Sequence, residues 1–249
     1  MGAVQLRSPA SGRAIDMKLL LYCIFEAHGV ALPEKWEGQV EFLRAHGLGV
    51  AFSRCESVVS PPPIESLLAY DRVVTWLHAR CCIIPLRYGN IADSEASVVE
   101  LLAWRAQEFR ELLARLDGKT EIGLRVLLAH PPANSPAVSK PAAGLTPGTV
   151  YLNSIRQRLE RDRGLNEVES GLVERILDLV RDLNADLASE LRRAPENRLL
   201  SIFLLLPKEN VDECRRRLAP FLQDPSVKAL VTGPWPPYNS VASQEAAHV

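Results

Sequence analysis

The sequence predicts an α+β protein built in two parts, and three observations carry that reading. Strand-like and helix-like patterns alternate through residues 17–130, a proline-rich stretch fills 131–147, and helical periodicity resumes in 148–249. Residues 1–16 are rich in Ala, Ser, Gly and Arg without a period. They read as a flexible N-terminal extension, with Met17 a candidate natural start.

The first part, residues 17–130, reads as β-β-α-β-α-β. Lys18 to Ala27 is a nearly continuous apolar run, as expected for a strand covered on both faces. Leu48, Val50 and Phe52 alternate with Gly49, Ala51 and Ser53, the period of a half-buried strand. Pro61-Pro62-Pro63 blocks a strand and starts a helix, with Ile64, Leu67, Leu68, Val74 and Leu77 at helical spacing. Cys82 to Tyr88 is the next buried strand.

Ser97 and Glu100 have capping-box spacing, with Asp93 a rival cap. Val98, Leu101, Leu102, Phe109, Leu112, Leu113 and Leu116 then mark one helix face, which Asp117-Gly118 ends. Ile122, Leu124 and Val126 alternate with Glu121, Gly123 and Arg125 as a last strand. This order fits a ferredoxin-like four-stranded sheet, or a variant of it, with helices on one face.

Residues 131–147 carry five prolines among small residues and read as a linker. The second domain, 148–249, reads as α+β with a long helical hairpin. Val150, Ile155 and Leu159 mark the hairpin's first helix, which Gly164 ends. Its second helix runs from about Asn166 to Arg193, where Leu172, Ile176, Leu183, Leu187 and Leu191 form a seam that packs on its own domain rather than as a dimer zipper. Leu199 to Leu206 is a buried strand, Val211 to Phe221 a helix and Val227 to Thr232 a last strand. Gly233 to Tyr238, with three prolines, then reads as an extended strap that clamps the two domains together and buries Trp235.

Composition narrows the function. The 249 residues hold 29 Lys+Arg against 30 Asp+Glu, spread evenly over both halves, so the basic excess that binds a nucleic acid is absent. The most apolar run, Leu199 to Leu206, is far shorter than the roughly 20 residues a transmembrane helix needs, so no lipid membrane is expected as partner. Five cysteines, odd in number and without C-x-x-C spacing, suit a reducing cytoplasm.

No G-x-S-x-G elbow, phosphate-binding P-loop, H-E-x-x-H or G-x-G-x-x-G occurs, so the chain reads as a non-enzyme without cofactor. The nearest approach to a metal or nucleophile site is His78-Ala79-Arg80-Cys81-Cys82, which lacks the four spaced ligands of a zinc site. Its histidine also suits the negative end of a helix dipole. Arg87, where a core strand breaks into the loop Tyr88-Gly89-Asn90, is either a structural arginine bonding carbonyls or a carboxylate, or an interface anchor. Trp235 and Tyr238, among Pro234, Pro236 and Pro237, pose the same choice between plug and hot spot.

At these residues the chain resembles a known family. Pro85-Leu86-Arg87-Tyr88-Gly89-Asn90 is similar to the P-[LV]-R-F-G-T segment of the GvpF/GvpL family of gas vesicle proteins, with His78 where that family tends to have a histidine. Gly118 to Val126, with Glu121 and Gly123, resembles its G-x-x-E-[WY]-G-[VL]-[KR]-[VA] strand. Thr232 to Val241 matches its closing T-G-P-W-P-P-Y-S-F-V, and Leu20-Leu21-Tyr22-Cys23-Ile24 its first strand. Tyr88, Asn90, Ile122, Cys23 and Asn239-Ser240 depart from the pattern.

The resemblance implies a non-enzymatic minor gas vesicle protein, cytoplasmic and associated with the vesicle. It would bind the very hydrophobic shell subunit GvpA, possess other gas vesicle accessory proteins as further partners, and assist nucleation by preventing aggregation. Its interaction or structural candidates are Arg87, Tyr88, Gly89, Glu121, Gly123, Trp235, Pro236, Pro237 and Tyr238. The N-terminal sheet is expected to receive the shell subunit at an edge strand. The alternative is a small-ligand-binding regulatory protein of the ferredoxin-like sensor kind.

Overall fold

The computed structural model describes residues 17–29, 31–33, 35–36, 39–56, 61–128, 167–193, 198–223 and 228–245. The expected N-terminal extension, the linker at 131–147 and the first helix of the expected hairpin lie outside them.

The first sheet comprises β1 (Lys18–Glu26), β2 (Lys35–Trp36), β3 (Val40–Ala45), β4 (Leu48–Cys55), β5 (Ile83–Pro85) and β6 (Ile91–Ala92). Its order is β2-β3-β4-β1-β5, with β6 also on β1, and every pair is antiparallel. His46 and Gly47 both take positive φ, 53° and 78°, and close the β3–β4 hairpin. Three helices follow: α1 (Ile64–His78), α2 (Glu95–Trp104) and α3 (Ala106–Leu116). The cap of α2 is Ser94, whose Oγ accepts from the Ser97 amide at 3.2 Å.

The helices do not share one face. Every residue of β1 from Leu19 to Phe25 is buried, so both faces of this strand need cover. Tyr70, Val73, Val74 and Leu77 of α1 pack on the side of Leu20, Tyr22 and Phe25. Val98, Leu102, Phe109, Leu113 and Leu116 of α2 and α3 pack on the side of Leu19, Leu21 and Ile24. The α+β class stands, with a larger and two-sided first sheet.

The second sheet contains β7 (Lys119–Leu128), β8 (Asp186–Arg193), β9 (Arg198–Pro207) and β10 (Lys228–Trp235), in the antiparallel order β10-β7-β9-β8. The strand at 119–128, expected to complete the first sheet, lies inside the second. There it pairs with β9 along its whole length, from Lys119↔Pro207 to Leu128↔Arg198. That ladder sets Ile122, Leu124 and Val126 against Leu204, Ile202 and Leu200 in one apolar layer. The short strand β5 offers far fewer ladder bonds. Helices α4 (Glu167–Val180) and α5 (Val211–Leu222) cover this layer with Ile176, Val180, Cys214 and Leu218. A buried ion pair, Arg198 Nη2 donating to Glu169 Oε2 at 2.8 Å, ties β9 to α4.

The expected long helix to Arg193 is also corrected. α4 stops at Val180, one 3-10 turn follows, and Asn184 at φ 52° turns the chain into β8. Leu187 and Leu191 misled because a spacing of four satisfies the helical period and the strand period alike.

The segment from Gly233 to Tyr238 is not an extended strap. β10 continues to Trp235 through an irregular register after Thr232, and α6 (Tyr238–Glu245) begins directly behind Pro236-Pro237. α6 touches β5 of the first sheet and β8 and β9 of the second, so it sits between the two sheets.

Candidate interaction site around the closing helix

The site is built on Glu121 of β7, which is only 2% exposed. A helix leaves its first amides without partners and its N-terminus partly positive. Both conditions are met here by one carboxylate. Glu121 Oε2 accepts from the Asn239 amide at 3.0 Å, the Ser240 amide at 2.9 Å and Ser240 Oγ at 2.9 Å. Glu121 Oε1 accepts from Asn239 Nδ2 at 2.8 Å. Thr120 Oγ1 donates to the Trp235 carbonyl at 2.9 Å, which locks the end of β10 beside it.

Two glycines permit this close approach. Gly233 has φ +101°, and a Cβ there would lie 2.7 Å from the Glu121 carbonyl oxygen. A Cβ at Gly123 would lie 2.8 Å from Thr232 Oγ1.

The other side of α6 meets the first sheet. Tyr238 packs against the core under α1, and Val241 joins the core under α2 and α3 together with Leu205 of β9. The single Tyr70 Oη proton is shared between the carbonyls of Leu21 and Leu86, each at 2.8 Å, and fixes the segment that leaves β5. The Tyr88 ring meets Tyr70 edge-on at 5.3 Å. Asn90 closes the turn by donating to the Arg87 carbonyl through its amide at 3.2 Å and Nδ2 at 2.7 Å, with Gly89 at φ 96° inside it.

Between α6, this turn and the α2–α3 pair opens a cleft of about 700 Å³. Leu21, Ile24, Ile84, Leu86, Phe109 and Val241 give it an apolar lining. Trp104 stands at its rim, 83% exposed.

The family model for "Gas vesicle synthesis protein GvpL/GvpF" matches residues 18–242. The chain belongs to that family. It is 30% identical over 189 residues to gas vesicle protein L of Streptomyces sp. (strain CB03234), a match covering 70% of this chain and 68% of that one. The crystal structure of GvpF from Anabaena sp. PCC7120 superposes with a TM-score of 0.63 at 18% identity, covering 91% of this chain and 96% of the other. GvpF from Microcystis aeruginosa gives 0.59 at 17% identity, covering 90% and 98%. Both crystal structures share the fold.

In this GvpL/GvpF chain, Glu121, Pro236, Pro237 and Tyr238 come together at α6, and Tyr88 and Gly89 shape the neighbouring turn. Arg87 does not join them, and Trp235 does so through its backbone alone, paired with Glu121 and bonded by Thr120. Arg87 is exposed and its side chain bonds nothing among the described residues, which corrects the reading of a structural arginine. Trp235 is 44% exposed, against its expected burial, because the buried positions are the two prolines behind it. Melting should therefore shift little: Arg87→Ala by less than about 0.5 kcal/mol and Trp235→Ala by roughly 1 kcal/mol. Differential scanning fluorimetry of the two variants checks this. Sequence reasoning missed Tyr70 and Trp104, and named Asn239 and Ser240 within a motif without giving them a role. Asn239-Ser240 behind two prolines carried the one usable signal, that of a helix start.

His78 and its cysteines have a different character. Neither ring nitrogen of His78 has a hydrogen-bond partner among the described residues, and both are buried. Burial, with Lys208 adding positive charge nearby, pushes its pKa from 6.5 down to about 4. The unfolded chain then binds a proton at this position where the folded one does not. Stability should fall as pH drops from about 6.5 toward 4 and level off below that. Urea melts across this range should show a shallower acid loss in His78→Leu than in the parent; equal pH slopes would refute the role. Burial lifts Cys81 to about 11 and Cys82 to about 12, which opposes a thiolate nucleophile. Among the described residues, no three His, Cys, Asp or Glu side chains converge as a metal site.

Proposed function

We propose that this chain is a non-enzymatic accessory protein of gas vesicle assembly that binds the apolar shell subunit GvpA in the cytoplasm and keeps it from aggregating during nucleation. Other gas vesicle accessory proteins are further partners on the same reading. The observation that carries it is the family match over residues 18–242, joined to an open apolar cleft lined by three of the family-like segments. A strongly apolar subunit is an aggregation hazard before assembly, and covering its apolar face is a stoichiometric task without chemistry. The half-buried Cys81 and Cys82, whose thiols are held protonated, agree with that.

A cleft of about 700 Å³ also lies in the size range of small-ligand pockets, which is what favours the second reading, a ligand-binding regulator. Binding by strand addition to the first sheet has less support. Its edges are β2, of two residues, and β5 and β6, of three and two, so few backbone bonds are on offer.

The test is co-expression of the full chain with the shell subunit, followed by affinity capture. Recovery of the subunit in stable proportion supports the proposal, and a chain that comes out alone contradicts it. The intact chain is needed, because ending it at residue 130 strips β7 of β9 and β10.

A further inference from the structure

We infer that the free edge of β10 pairs with β10 of a second copy of this chain, antiparallel about a two-fold axis through the sheet at Leu230. The two second sheets then join into one. This pairing does not depend on what binds at the cleft. Three observations select it.

First, the edge is open. β10 ends the order β10-β7-β9-β8, and among the described residues Lys228 to Val231 bond no backbone beyond β7. Ala229 and Val231 pack on the core but are only half-buried, whereas Val126 and Leu124 across the ladder are fully buried. The core therefore lacks cover along this flank. On the other face of the sheet Leu230 is 60% exposed, and Leu127 is exposed beside it.

Second, the edge is unguarded where it is apolar. Sheet edges are commonly blunted by charges, prolines and irregular register. Here Pro234, the break in register and the Arg215 side chain on the Gly233 carbonyl all lie beyond Thr232. Lys228 is the one charged residue from 228 to 232. The opposite edge, β8, carries Asp186, Glu190, Arg192 and Arg193.

Third, the open stretch complements itself, which selects a second copy as its occupant. Side chains alternate between faces, so the core faces of two copies coincide only where opposed residues differ by an even number of positions. Centring on Leu230 uses all of Lys228 to Thr232. It sets Leu230 against Leu230, Ala229 against Val231 and Lys228 against Thr232. Apolar residues meet on both faces, and no charge meets its like.

The test is sedimentation velocity of the full chain from about 1 to about 200 μM, a range that brackets a weak dimer. The parent should shift from the mass of one chain to that of two. Leu230→Lys and Leu230→Glu each set like charges face to face at the axis and should weaken dimerisation at least about tenfold. Both change an exposed position, so melts at low concentration should match the parent. Leu230→Lys faces Arg125 of its own β7, whereas Leu230→Glu suits that neighbour, so the second variant reports even where the first folds poorly. An equimolar mixture of the two should dimerise again, because position 230 then meets its opposite charge. Lys228→Ala, opposite Thr232, should leave the dimer intact. A parent that stays monomeric overturns the inference; if Leu230→Lys then lowers capture of the shell subunit, the edge belongs to that subunit. A dimer untouched by both substitutions at 230, or a mixture that fails to recover, also overturns it. So does growth of the parent past two chains, which would point to β10 pairing with β8.

Discussion

Glu121→Ala is expected to lower the free energy of unfolding by about 3–5 kcal/mol. The carboxylate is buried, and its loss removes the acceptor of four hydrogen bonds at once: two helix amides, the Ser240 hydroxyl and the Asn239 side-chain amide. Each buried donor left unpaired costs about 1–3 kcal/mol, partly relieved when the helix end frays into water. At about 2–4 °C per kcal/mol for a chain of this size, the melting midpoint should fall by roughly 10 °C. Glu121→Gln keeps the shape but turns an NH₂ group toward donors and removes the charge facing the helix N-terminus, so its cost should be intermediate, about 1–3 kcal/mol. Hydrogen exchange supplies the local readout: in both variants the first-turn amides of α6 should exchange faster. A melt of Glu121→Ala equal to the parent would show that α6 is not held from β7.

Leu205→Ala is expected to cost about 2–5 kcal/mol, the range for emptying a buried leucine site. Leu205 is fully buried on β9, directly across the ladder from Glu121. Its side chain leaves the core under α4 and α5 and joins the one formed by Leu19, Leu21, Ile24, Phe109 and Val241. It is therefore a second-sheet residue in a first-sheet core, and its loss should loosen α6 as well. A double-mutant cycle with Glu121→Ala, followed by urea melts, should give a coupling of at least about 0.5 kcal/mol, since both residues act through the same helix. Strict additivity would mean that the two sheets are joined independently at the two positions.

What could be read from the sequence, and what could not, follows from the range of each signal. The burial of β1 on both faces was legible because Lys18 to Ala27 is apolar without alternation. The assumed one-sided sheet ignored that observation. The partner of β7 was not legible: periodicity in Ile122, Leu124 and Val126 reports a strand but not which strand it bonds, and β9 comes some 80 residues later. Leu187 and Leu191 fit either period, so the helix was overextended into β8.

The closing segment failed for a related reason. Proline fixes φ near −65°, a value shared by polyproline II and by the first turn of a helix, so Pro236-Pro237 was compatible with both. Glu121 and Asn239 were each noticed within a motif. Their contact spans 118 positions, and no local rule connects them. The exposure of Trp235 rests on the register of β10 beyond Thr232, which composition does not encode. Trp104 and the cleft were hidden because the break between α2 and α3 at Arg105 is a tertiary feature of an otherwise continuous helical pattern.

The most direct measurement of the central proposal is the light scattering of purified shell subunit diluted out of denaturant, with increasing amounts of the intact chain and no nucleotide present. The account predicts that scattering falls in proportion to the chain added and is suppressed at equimolar amounts. Aggregation of the subunit at an undiminished rate and extent in the presence of an equimolar, folded chain would contradict it.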